Sequence, residues 1–497
     1  MPDPKAGPEE QGGPDSRAGL RPPVRPGQEV EITLTGLNHA GQGVGRVQGL
    51  AVFVDQALPG ETVQARVLTV HRNYATARLE RILAPAPGRQ KPVCSLFPAC
   101  GGCQLQHLRY AEQLAWKRRQ VVDALERIGG LRQVPVLPTL GMADPFHYRN
   151  KVQYPVALVP PAQAGRGPAV ALGCFEARSH RVVPADHCYI QSPLNNEVAA
   201  AVRSLLTRYG WQPYDERSRR GLIRHVLIRS NSSGDQALVC LVTTRPDVPR
   251  KEQLAAELME AAPPVVGVVQ NINPQPGNVI LGRQTVPIRG CDRLVDQLQV
   301  PGAGKLSFYV SAASFFQVNP VQAEVLYGQV LRAAGLSGSE TVVDAYAGVG
   351  AITLALARQA RFAYGVEVVP AAVKDARANA RLNRVENVEF RTGAVEDVLP
   401  TLQQEGVRAA VAVVDPPRAG CSPPVLQALA ALGAQRLVYV SCYPATLARD
   451  LARLAQLGYA AVQVQPVDMF PQTSHVEAVA LVVRQQAQKG QRREDCP

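Results

Sequence analysis

The sequence predicts a multidomain protein with three folded parts in a row: an OB-like β-barrel, a central α+β domain and a C-terminal α/β domain. Three observations support this fold class. Short alternating strands separated by glycine turns fill the first part, a cysteine-rich turn opens the second, and strands alternate with helices through the third. With 497 residues, of which 46% are hydrophobic, the chain is long enough to bury several cores.

Short strands with turn signals between them fill residues 28–84. They follow a proline- and glycine-rich stretch, 1–27, which we expect to be a disordered tail. Several such strands in succession predict a small barrel of the OB type. Barrels of this type often bind RNA through a basic and partly aromatic face. The side chains available for such a face are Arg66, Arg72, Tyr74, Arg78 and Arg81.

The rest of the chain divides where its sequence pattern changes. Residues 85–305 mix β-rich segments with arginine clusters and one amphipathic helix, 110–128, and they form the predicted central domain. Through 306–485 strands and helices alternate, which predicts a mostly parallel sheet covered by helices on both faces. We interpret 301–305 as the hinge between these two domains, and we expect 486–497 to be a second disordered tail.

The net charge of +12 is concentrated in the first part of the chain. Residues 1–300 carry 35 Lys and Arg against 25 Asp and Glu, whereas the remaining residues carry 18 against 16. This asymmetry indicates that the front half binds a polyanion. Because the N-terminus lacks a signal-peptide pattern and no apolar run approaches the roughly 18–20 residues of a membrane span, we expect a cytoplasmic protein without membrane contact. Ten cysteines in 497 residues are too sparse for a disulfide scaffold.

A glycine-rich turn follows a buried strand at 342–350, which reads VVDAYAGVG. Gly348 and Gly350 open a helix, and Glu367 ends the next strand. This arrangement is typical of Rossmann-like domains, which hold a nucleoside cofactor at the carboxyl ends of parallel strands, with an acid of the second strand on the ribose. The turn lacks the three-glycine dinucleotide fingerprint, and no Walker lysine follows it. NAD and S-adenosylmethionine therefore both remain open from this motif.

Three further motifs follow predicted strands of the same sheet. Asp415 begins DPPR, where two prolines rigidify the loop after a buried strand. Cys442 lies in SCYPAT between a strand end and a helix start, a position at which the helix N-terminus favours a thiolate. The segment DMFPQTSHVE offers His475 and Glu477 as acid–base candidates. We expect these side chains to share one edge of the sheet with the glycine turn.

Cys94, Cys100 and Cys103 lie close together in the turn CSLFPACGGCQ. Two glycines in this turn allow the backbone to wrap tightly around a ligand. Three close cysteines indicate a metal or iron–sulfur site with a fourth ligand elsewhere in the chain. Cys188 is the expected fourth ligand, and Cys174 is the alternative. Zinc is the main competitor of an iron–sulfur cluster at this site.

Together these motifs resemble the RNA uracil-5-methyltransferase family, which includes TrmA and RlmD. The resemblance covers nearly the whole chain, from the barrel, which is similar to a TRAM domain, to Glu477. SCYPAT, DPPRAG, SFFQVN at 314–319 and DMFPQTSHVE are specific in combination. The resemblance implies that the α/β domain is a class I methyltransferase domain that uses S-adenosylmethionine. It also implies that the central domain binds RNA and holds a [4Fe–4S] cluster.

By this resemblance Cys442 is the nucleophile of the reaction and Glu477 is its base. A thiolate adds to carbon-6 of uracil and turns the ring into an enolate, whose carbon-5 then takes the methyl group. Glu477 removes the carbon-5 proton, so that the cysteine leaves by elimination. The side chains at family positions that hold the cofactor are Gln317, Tyr346, Glu367 and Asp415. Those at positions of the cluster ligands are Cys94, Cys100, Cys103 and Cys188.

The barrel and the four cysteines resemble the ribosomal-RNA branch of the family, RlmD, more than TrmA, which lacks both. We therefore expect a monomer that forms 5-methyluridine in large-subunit (23S) ribosomal RNA and extrudes the target base into its pocket. The same reaction on transfer RNA is the alternative. Segments 147–151 and 224–229 are basic and resemble family segments near the RNA path. Strands with solvated charges are the other interpretation of these two segments.

Two other classes of function fit parts of the sequence. An iron–sulfur redox enzyme that uses a nicotinamide or a flavin would explain the cysteines and the glycine turn. It gives SCYPAT and Glu477 no role. A non-catalytic RNA-binding assembly factor with a degenerate methyltransferase fold would explain the positive charge. Against degeneration, Cys442, Asp415 and Glu477 are all intact.

Overall fold

The computed structural model describes residues 22–159 and 169–485, and the chain divides into two compact units, Met1–Arg89 and Gln90–Pro497. The predicted tail 486–497 lies outside the described residues, as do the first 21 residues of the predicted tail 1–27. Within the described ranges, no helix is long and apolar enough to cross a membrane.

A closed five-stranded barrel forms the first unit, as the pattern of short strands predicts. Its strands are β1 (Glu29–Leu37), β2 (Gly43–Val47), β3 (Leu50–Asp55), β4 (Thr62–Val70) and β5 (Tyr74–Ala84). They pair around the barrel in the order β1-β2-β3-β5-β4. Alternate side chains point inward and form one apolar core. Val24 is only 2% exposed and belongs to this core, so the ordered module begins earlier than the predicted boundary at residue 28.

The basic face predicted for the barrel is partly neutralised by carboxylates of the barrel itself. Arg66 forms ion pairs with Glu29 and Glu80, and Arg78 forms an ion pair with Glu80. Tyr74 stacks on a neighbouring histidine ring, with 4.4 Å between the ring centroids. Two of the predicted arginines are therefore already engaged, whereas Tyr74 forms part of an aromatic surface.

Helix α1 (Tyr110–Arg127) lies near the start of the second unit, and it matches the helix predicted at 110–128 to within one residue. A seven-stranded sheet follows along the chain. Its strands are β6 (Lys151–Val159), β7 (Ala169–Phe175), β8 (Val182–Pro184), β9 (Ile223–Ser230), β10 (Ala237–Thr243), β11 (Val265–Ile272) and β12 (Gln284–Gly290). They lie in the order β12-β11-β10-β9-β6-β7-β8. Helices α2 (Pro193–Tyr209) and α3 (Lys251–Ala261) pack on this sheet through one shared core.

The basic residues of β9 are buried rather than solvated. Arg224 donates to the carbonyl of Asn273 at 3.1 Å, and Arg229 donates to the carbonyl of Ser314 at 3.0 Å. Burial, together with the adjacent Arg224, lowers the pKa of His225 to about 4. The strand in the alternative interpretation of this segment is confirmed, but its charges are not solvated, because Arg224 and Arg229 are buried and donate hydrogen bonds to backbone carbonyls.

The residues between the two large sheets form a hairpin rather than a hinge. Strands β13 (Arg293–Val300) and β14 (Gly304–Ser311) pair along their whole length, with Val300 opposite Gly304 across the turn. Gly302 and Gly304 both have positive φ, which a tight turn of this kind requires. The hinge interpretation of 301–305 is therefore wrong, since these residues are fixed by strand pairing on both sides.

A second seven-stranded sheet carries the predicted α/β pattern. Its strands are β15 (Thr341–Asp344), β16 (Phe362–Glu367), β17 (Val388–Thr392), β18 (Val411–Val414), β19 (Arg436–Ser441), β20 (Tyr459–Val467) and β21 (Glu477–Arg484). The helices are α4 (Pro320–Ala334), α5 (Ala351–Ala357), α6 (Pro370–Leu382), α7 (Val395–Gln404), α8 (Pro423–Leu432) and α9 (Pro444–Gln456). The strand order is β17-β16-β15-β18-β19-β21-β20, with β21 antiparallel to both neighbours and the other pairs parallel. Two cores, one on each face, confirm a sheet covered by helices on both sides.

Helix α1 packs on the α/β sheet, although it precedes the central sheet in sequence. Val121 and Leu125 share a core with Leu447 of α9. Lys117 of α1 forms an ion pair with Asp468, just after β20, and both side chains are fully buried. The α/β part of the fold thus includes residues from well before position 306, where the sequence pattern changes.

Candidate active site

The carboxyl ends of four parallel strands, β15, β16, β18 and β19, open onto one cavity of about 1290 Å³. The antiparallel strand β21 begins at the same edge. The six side chains predicted for catalysis and cofactor binding all line this cavity: Gln317, Tyr346, Glu367, Asp415, Cys442 and Glu477. The structure therefore brings these six residues, which lie far apart in sequence, to one place.

The glycine turn after β15 and Glu367 form one hydrogen-bonded unit. Glu367 accepts the backbone N–H of Gly348 at 3.0 Å and that of Val369 at 2.8 Å. Gly350 has a φ of +88°, and a Cβ at this position would lie 3.0 Å from the ring of Phe390. Only glycine combines this left-handed backbone with such a close approach. The unit has the geometry of a nucleoside-cofactor site at the first two strands of a Rossmann-like sheet.

Side chains next to this unit are already engaged with the protein. The hydroxyl of Tyr346 donates to the sulfur of Cys421 at 3.9 Å, which leaves the ring and backbone of Tyr346 for the cavity. Thr353 donates to Asp344 at 2.6 Å, and burial raises the pKa of Asp344 to about 6. Gln317 is buried in the cavity wall. This part of the cavity wall is thus held by hydrogen bonds within the protein.

Cys442 and Glu477 lie side by side because of the strand register. Ser441, the last residue of β19, pairs with Ala478 of the antiparallel strand β21. Cys442 follows Ser441 and Glu477 precedes Ala478, so the thiol and the carboxyl group occupy adjacent positions on neighbouring strands. A thiol and a carboxyl group therefore share one end of the cavity, with Asp415, which directly follows β18, close enough to influence both.

The electrostatics of this end are dominated by buried acidic groups. Burial, with help from Glu477 and Asp415, raises the pKa of Cys442 to about 11. Burial and Asp415 raise the pKa of Glu477 well above its usual range, and burial and Asp344 raise that of Asp415 to about 7. The expectation that the helix N-terminus favours a Cys442 thiolate is wrong for the free protein, because burial and the two carboxyl groups outweigh the helix. The thiol keeps its proton at neutral pH.

Arg418 is a site residue that the sequence prediction omitted. It lines the cavity, and its positive charge lowers the pKa of both Cys442 and Glu477. Its Nη2 lies 3.5 Å from Nε2 of His475. The signal was present in the sequence, because Arg418 closes the rigid DPPR turn that Asp415 opens.

The acid–base candidates His475 and Glu477 occupy different environments. His475 is exposed, with its ring edge-on to Phe470 at 6.0 Å between centroids, whereas Glu477 is buried. The buried carboxyl group is the better placed of the two for proton transfer in a water-poor site. Phe315, another residue that the sequence prediction omitted, is 73% exposed and also lines the cavity, where it offers a surface for stacking.

The predicted cluster ligands and the alternative ligand all line the same cavity. Three of them lie in the loop before α1, one lies in β7 and one lies in the loop before α2: Cys94, Cys100 and Cys103, then Cys174, then Cys188. The first loop reaches β7 through Gly101, whose N–H donates to the carbonyl of Phe175 at 2.9 Å. A Cβ at Gly101 would lie 2.8 Å from that oxygen, so glycine permits this close approach.

The cysteine sulfurs influence one another. The thiol of Cys174 donates to Cys100, which lowers the pKa of Cys100 to about 6 and raises that of Cys174. Burial, with Cys188 among the neighbouring thiols, raises the pKa of Cys103 to about 12. The N–H of Gly102 points at the sulfur of Cys100 at 3.4 Å. Among the residues that the structure describes, no group of three or more His, Cys, Asp or Glu side chains has an arrangement that could hold a metal ion.

Fold and site together define a class of protein, the S-adenosylmethionine-dependent methyltransferases, and comparison with known proteins bears this out. The family model for tRNA (Uracil-5-)-methyltransferase matches residues 282–485, and the TRAM domain model matches residues 23–79. An uncharacterized RNA methyltransferase of Halalkalibacterium halodurans is 45% identical over 93% of this chain and 98% of its own length. One of Listeria monocytogenes is 44% identical over 92% of this chain and 98% of its own. The chain belongs to the RNA uracil-5-methyltransferase family.

A solved structure has the same overall fold. It is the tRNA (uracil-54, C5)-methyltransferase of Pyrococcus abyssi in complex with S-adenosyl-L-homocysteine, with a TM-score of 0.71 and 24% identity. The match covers 91% of this chain and 99% of that one. The protein described here is therefore an S-adenosylmethionine-dependent RNA uracil-5-methyltransferase with an N-terminal TRAM barrel.

The charges around Cys442 make a prediction for the free protein. Asp415→Asn removes a negative charge, so the pKa of Cys442 should fall, whereas Arg418→Gln removes a positive charge, so this pKa should rise. The rate of Cys442 alkylation by iodoacetamide, followed by peptide mass spectrometry between pH 7 and 10, measures both changes. One pKa unit corresponds to an about tenfold change in thiolate fraction at pH 8. Exposed Cys291 is the internal control, and equal Cys442 profiles in all three proteins would contradict this electrostatic description.

Proposed function

We propose that the protein methylates carbon-5 of a uridine in large-subunit (23S) ribosomal RNA and forms 5-methyluridine through a covalent adduct between Cys442 and uracil. The observation that carries this proposal is that Cys442 and buried Glu477 are adjacent on neighbouring strands, at one end of the cavity. The same cavity contains the glycine turn after β15 and Glu367, which we name the cofactor unit. This chemistry requires a nucleophile and a base at the same ring.

The first chemical step in this mechanism belongs to Cys442. Its sulfur adds to carbon-6 of uracil, and the electron pair of the C5=C6 bond becomes an enolate. Carbon-5 of the enolate then takes the methyl group from S-adenosylmethionine, which leaves as S-adenosylhomocysteine. Since the resting thiol is protonated, its proton must leave as the sulfur attacks, and Asp415, with a pKa of about 7, can accept it. Arg418 stabilises the negative charge that develops on sulfur and on the enolate.

The second chemical step belongs to Glu477. After methyl transfer, carbon-5 carries both the methyl group and the original proton. The carboxylate of Glu477 removes this proton, the C5=C6 double bond forms again, and the sulfur of Cys442 leaves. A carboxylate whose pKa is raised by burial is a stronger base than an exposed one, which suits this task. Asp415 takes the thiol proton, and the positive charge of Arg418, which lowers the pKa of Glu477, favours the carboxylate form that this step requires.

We assign the cofactor to the glycine turn and the four side chains Gln317, Tyr346, Glu367 and Asp415. Each Glu367 carboxylate oxygen accepts one backbone N–H, so each retains acceptor capacity for a ribose hydroxyl. The ring and backbone of Tyr346 face the same space. A cofactor bound there would lie in the same cavity that Cys442 and Glu477 line.

The excess positive charge of residues 1–300 supports an RNA substrate, and the resemblance of the TRAM barrel and the cysteine-rich turn to the ribosomal-RNA branch favours ribosomal RNA. We expect the target uridine to be extruded from its surroundings into the cavity by a monomeric, cytoplasmic enzyme. Transfer RNA is the second candidate substrate, because the structurally similar protein from Pyrococcus abyssi is a tRNA (uracil-54, C5)-methyltransferase. A non-catalytic assembly factor is the third candidate, and intact Cys442 and Glu477 count against it.

We further propose that Cys94, Cys100, Cys103 and Cys188 hold a [4Fe–4S] cluster. The donor set is all sulfur, which suits iron–sulfur clusters and zinc alike. A cluster binds each cysteine through a different iron, so its ligands are spaced more widely than around one ion. The Gly102 N–H aimed at Cys100 is of the kind that tunes cluster sulfurs. A bound cluster would link the cysteine-rich turn that precedes α1 to Cys188 in the loop before α2.

Methyl transfer from labelled S-adenosylmethionine tests the substrate. Unmodified large-subunit ribosomal RNA and unmodified transfer RNA are incubated in parallel with the protein and then digested to nucleosides. We expect label in 5-methyluridine from ribosomal RNA. Label in transfer RNA alone would support the proposed reaction but identify transfer RNA as the substrate. If the protein binds the cofactor but labels neither RNA, the result would favour a non-catalytic assembly factor.

Two substitutions separate the chemical roles. Cys442→Ala should abolish turnover while the affinity for S-adenosylhomocysteine stays within about twofold, because the cofactor unit lies on other strands. Glu477→Gln should methylate the RNA but fail to release it, so that a covalent RNA–protein band survives denaturing electrophoresis. Near-normal turnover by Cys442→Ala would refute the nucleophile assignment, and the lack of any adduct with Glu477→Gln would refute the base assignment.

Iron content tests the cysteine site. Protein purified without oxygen should contain about four iron atoms per chain and absorb visible light, as [4Fe–4S] clusters do. Cys188→Ser should lose most of this iron, because it removes a ligand. Cys291→Ser, at an exposed cysteine that does not line the cavity, should keep it. One zinc ion per chain instead of iron would contradict the cluster.

A further inference from the structure

The loop between β20 and β21 leads directly to Glu477, but segments from the start of the second unit hold this loop in place. We name residues 468–476 the catalytic loop. Thr473 and His475 of this loop line the cavity. At its first residue, fully buried Asp468 pairs with Lys117 of α1, which also donates to the carbonyl of Phe470 at 3.0 Å. The loop is therefore anchored from outside its own hairpin.

Gln472 is the centre of this anchoring. It has a φ of +68°, a backbone conformation that non-glycine residues rarely adopt. Its carbonyl accepts the N–H of Gln104 at 3.0 Å and that of Leu105 at 2.9 Å. Its side-chain oxygen accepts the amide of Gln113 at 3.0 Å, and its backbone N–H donates to the side-chain oxygen of Gln113 at 3.1 Å. Gln472 and Gln113 are both buried, and we name Gln104, Gln113 and Gln472 the glutamine clamp.

The glutamine clamp joins the cysteine turn to the catalytic loop. Gln104 follows Cys103 directly, and its side-chain amide donates to the carbonyl of Gly101 at 2.9 Å. The oxygen of the same side chain accepts the N–H of Ser474 at 3.4 Å. Gln113 in turn donates to the carbonyl of Leu105 at 3.0 Å. One set of buried amides thus fixes both segments, so a shift of the cysteine turn shifts the loop that precedes Glu477.

We propose that the glutamine clamp is a positioning device for the base, which sets the catalytic loop so that the carboxylate of Glu477 meets the carbon-5 proton. Cys442 and the cofactor unit lie on other strand ends that the clamp does not touch. Loss of the clamp should therefore slow the elimination step far more than cofactor binding or the first attack. Through Gln104, the cysteine turn influences the same step. This inference rests on the proposed function, because it assumes an elimination step at uracil.

The variant Gln113→Leu tests the clamp, because leucine fills similar space without an amide. We expect the rate constant for release of methylated RNA to fall by about 100-fold, the cost of roughly 1 Å of misplacement at a reacting group. The methylated covalent adduct should accumulate, while the KM for S-adenosylmethionine and the affinity for S-adenosylhomocysteine change less than twofold. Gln104→Leu, at a half-buried position that tolerates substitution better, should show the same pattern more weakly.

The matched control is Gln465→Leu. Gln465 is also a buried amide on the same hairpin, and it donates to the carbonyls of Pro138 at 2.7 Å and Pro466 at 3.0 Å, away from the clamp. The Gln465→Leu substitution should lower the free energy of unfolding, and the covalent adduct should not accumulate in this variant. Hydrogen exchange of residues 468–476 should rise in both clamp variants and stay at the wild-type rate in Gln465→Leu.

Two results would overturn the proposal for different reasons. If the wild type forms 5-methyluridine but the clamp variants release product at the wild-type rate, or lose cofactor binding and turnover in parallel, the glutamines do not act through Glu477. If the wild type itself forms neither 5-methyluridine nor an adduct, the proposed function fails, and the clamp fails with it as a catalytic device. Adduct accumulation confined to the clamp variants is the supporting result.

Discussion

The proposed chemistry of this protein depends on the register in which β21 pairs with β19. Because Ser441 lies opposite Ala478, Cys442 and Glu477 become neighbours at the edge of the sheet. A slip of one residue would turn every side chain of β21 to the other face and remove the base from the nucleophile. The sheet order adds the rest, since β18 lies next to β19 and brings Asp415 to the same edge. Because β21 is antiparallel to β19, it begins at the edge of the sheet where β19 ends, and this places Glu477 beside Cys442. A parallel strand in the place of β21 would begin at the opposite edge.

Burial determines how that register becomes a reactive site. Burial raises the pKa of Cys442, Asp415 and Glu477, neighbouring carboxyl groups raise it further, and the positive charge of Arg418 lowers it for Cys442 and Glu477. The resting state is therefore a protonated thiol beside carboxyl groups that hold protons more tightly than exposed ones. In the proposed mechanism, this site becomes reactive when the methyl donor brings a positive sulfonium, and uracil brings an electrophilic ring, into the cavity.

Local patterns in the sequence were sufficient to predict the barrel, the α/β sheet and the strand-end side chains. Each is encoded within a short window: alternation in the barrel, or an acid directly after a buried strand at Asp415. Predictions were wrong or missing where a property depends on residues that lie far apart in the chain. The pKa of Cys442 depends on carboxylates from other strands, and the burial of Arg224 and Arg229 depends on how loops fold over β9. The glutamine clamp joins Gln113 to Gln472 across 359 positions, a separation that no local pattern reports.

The measurement that tests the central claim most directly is the intact mass of the protein after reaction with an RNA in which 5-fluorouridine replaces uridine. Fluorine at carbon-5 cannot leave as a proton, so Glu477 has nothing to remove and the adduct must persist. We expect a stable species with the mass of protein plus RNA plus one methyl group, and peptide mapping should locate the link at Cys442. A protein of unchanged mass, in the presence of S-adenosylmethionine and an RNA whose uridine form it methylates, would contradict attack by Cys442.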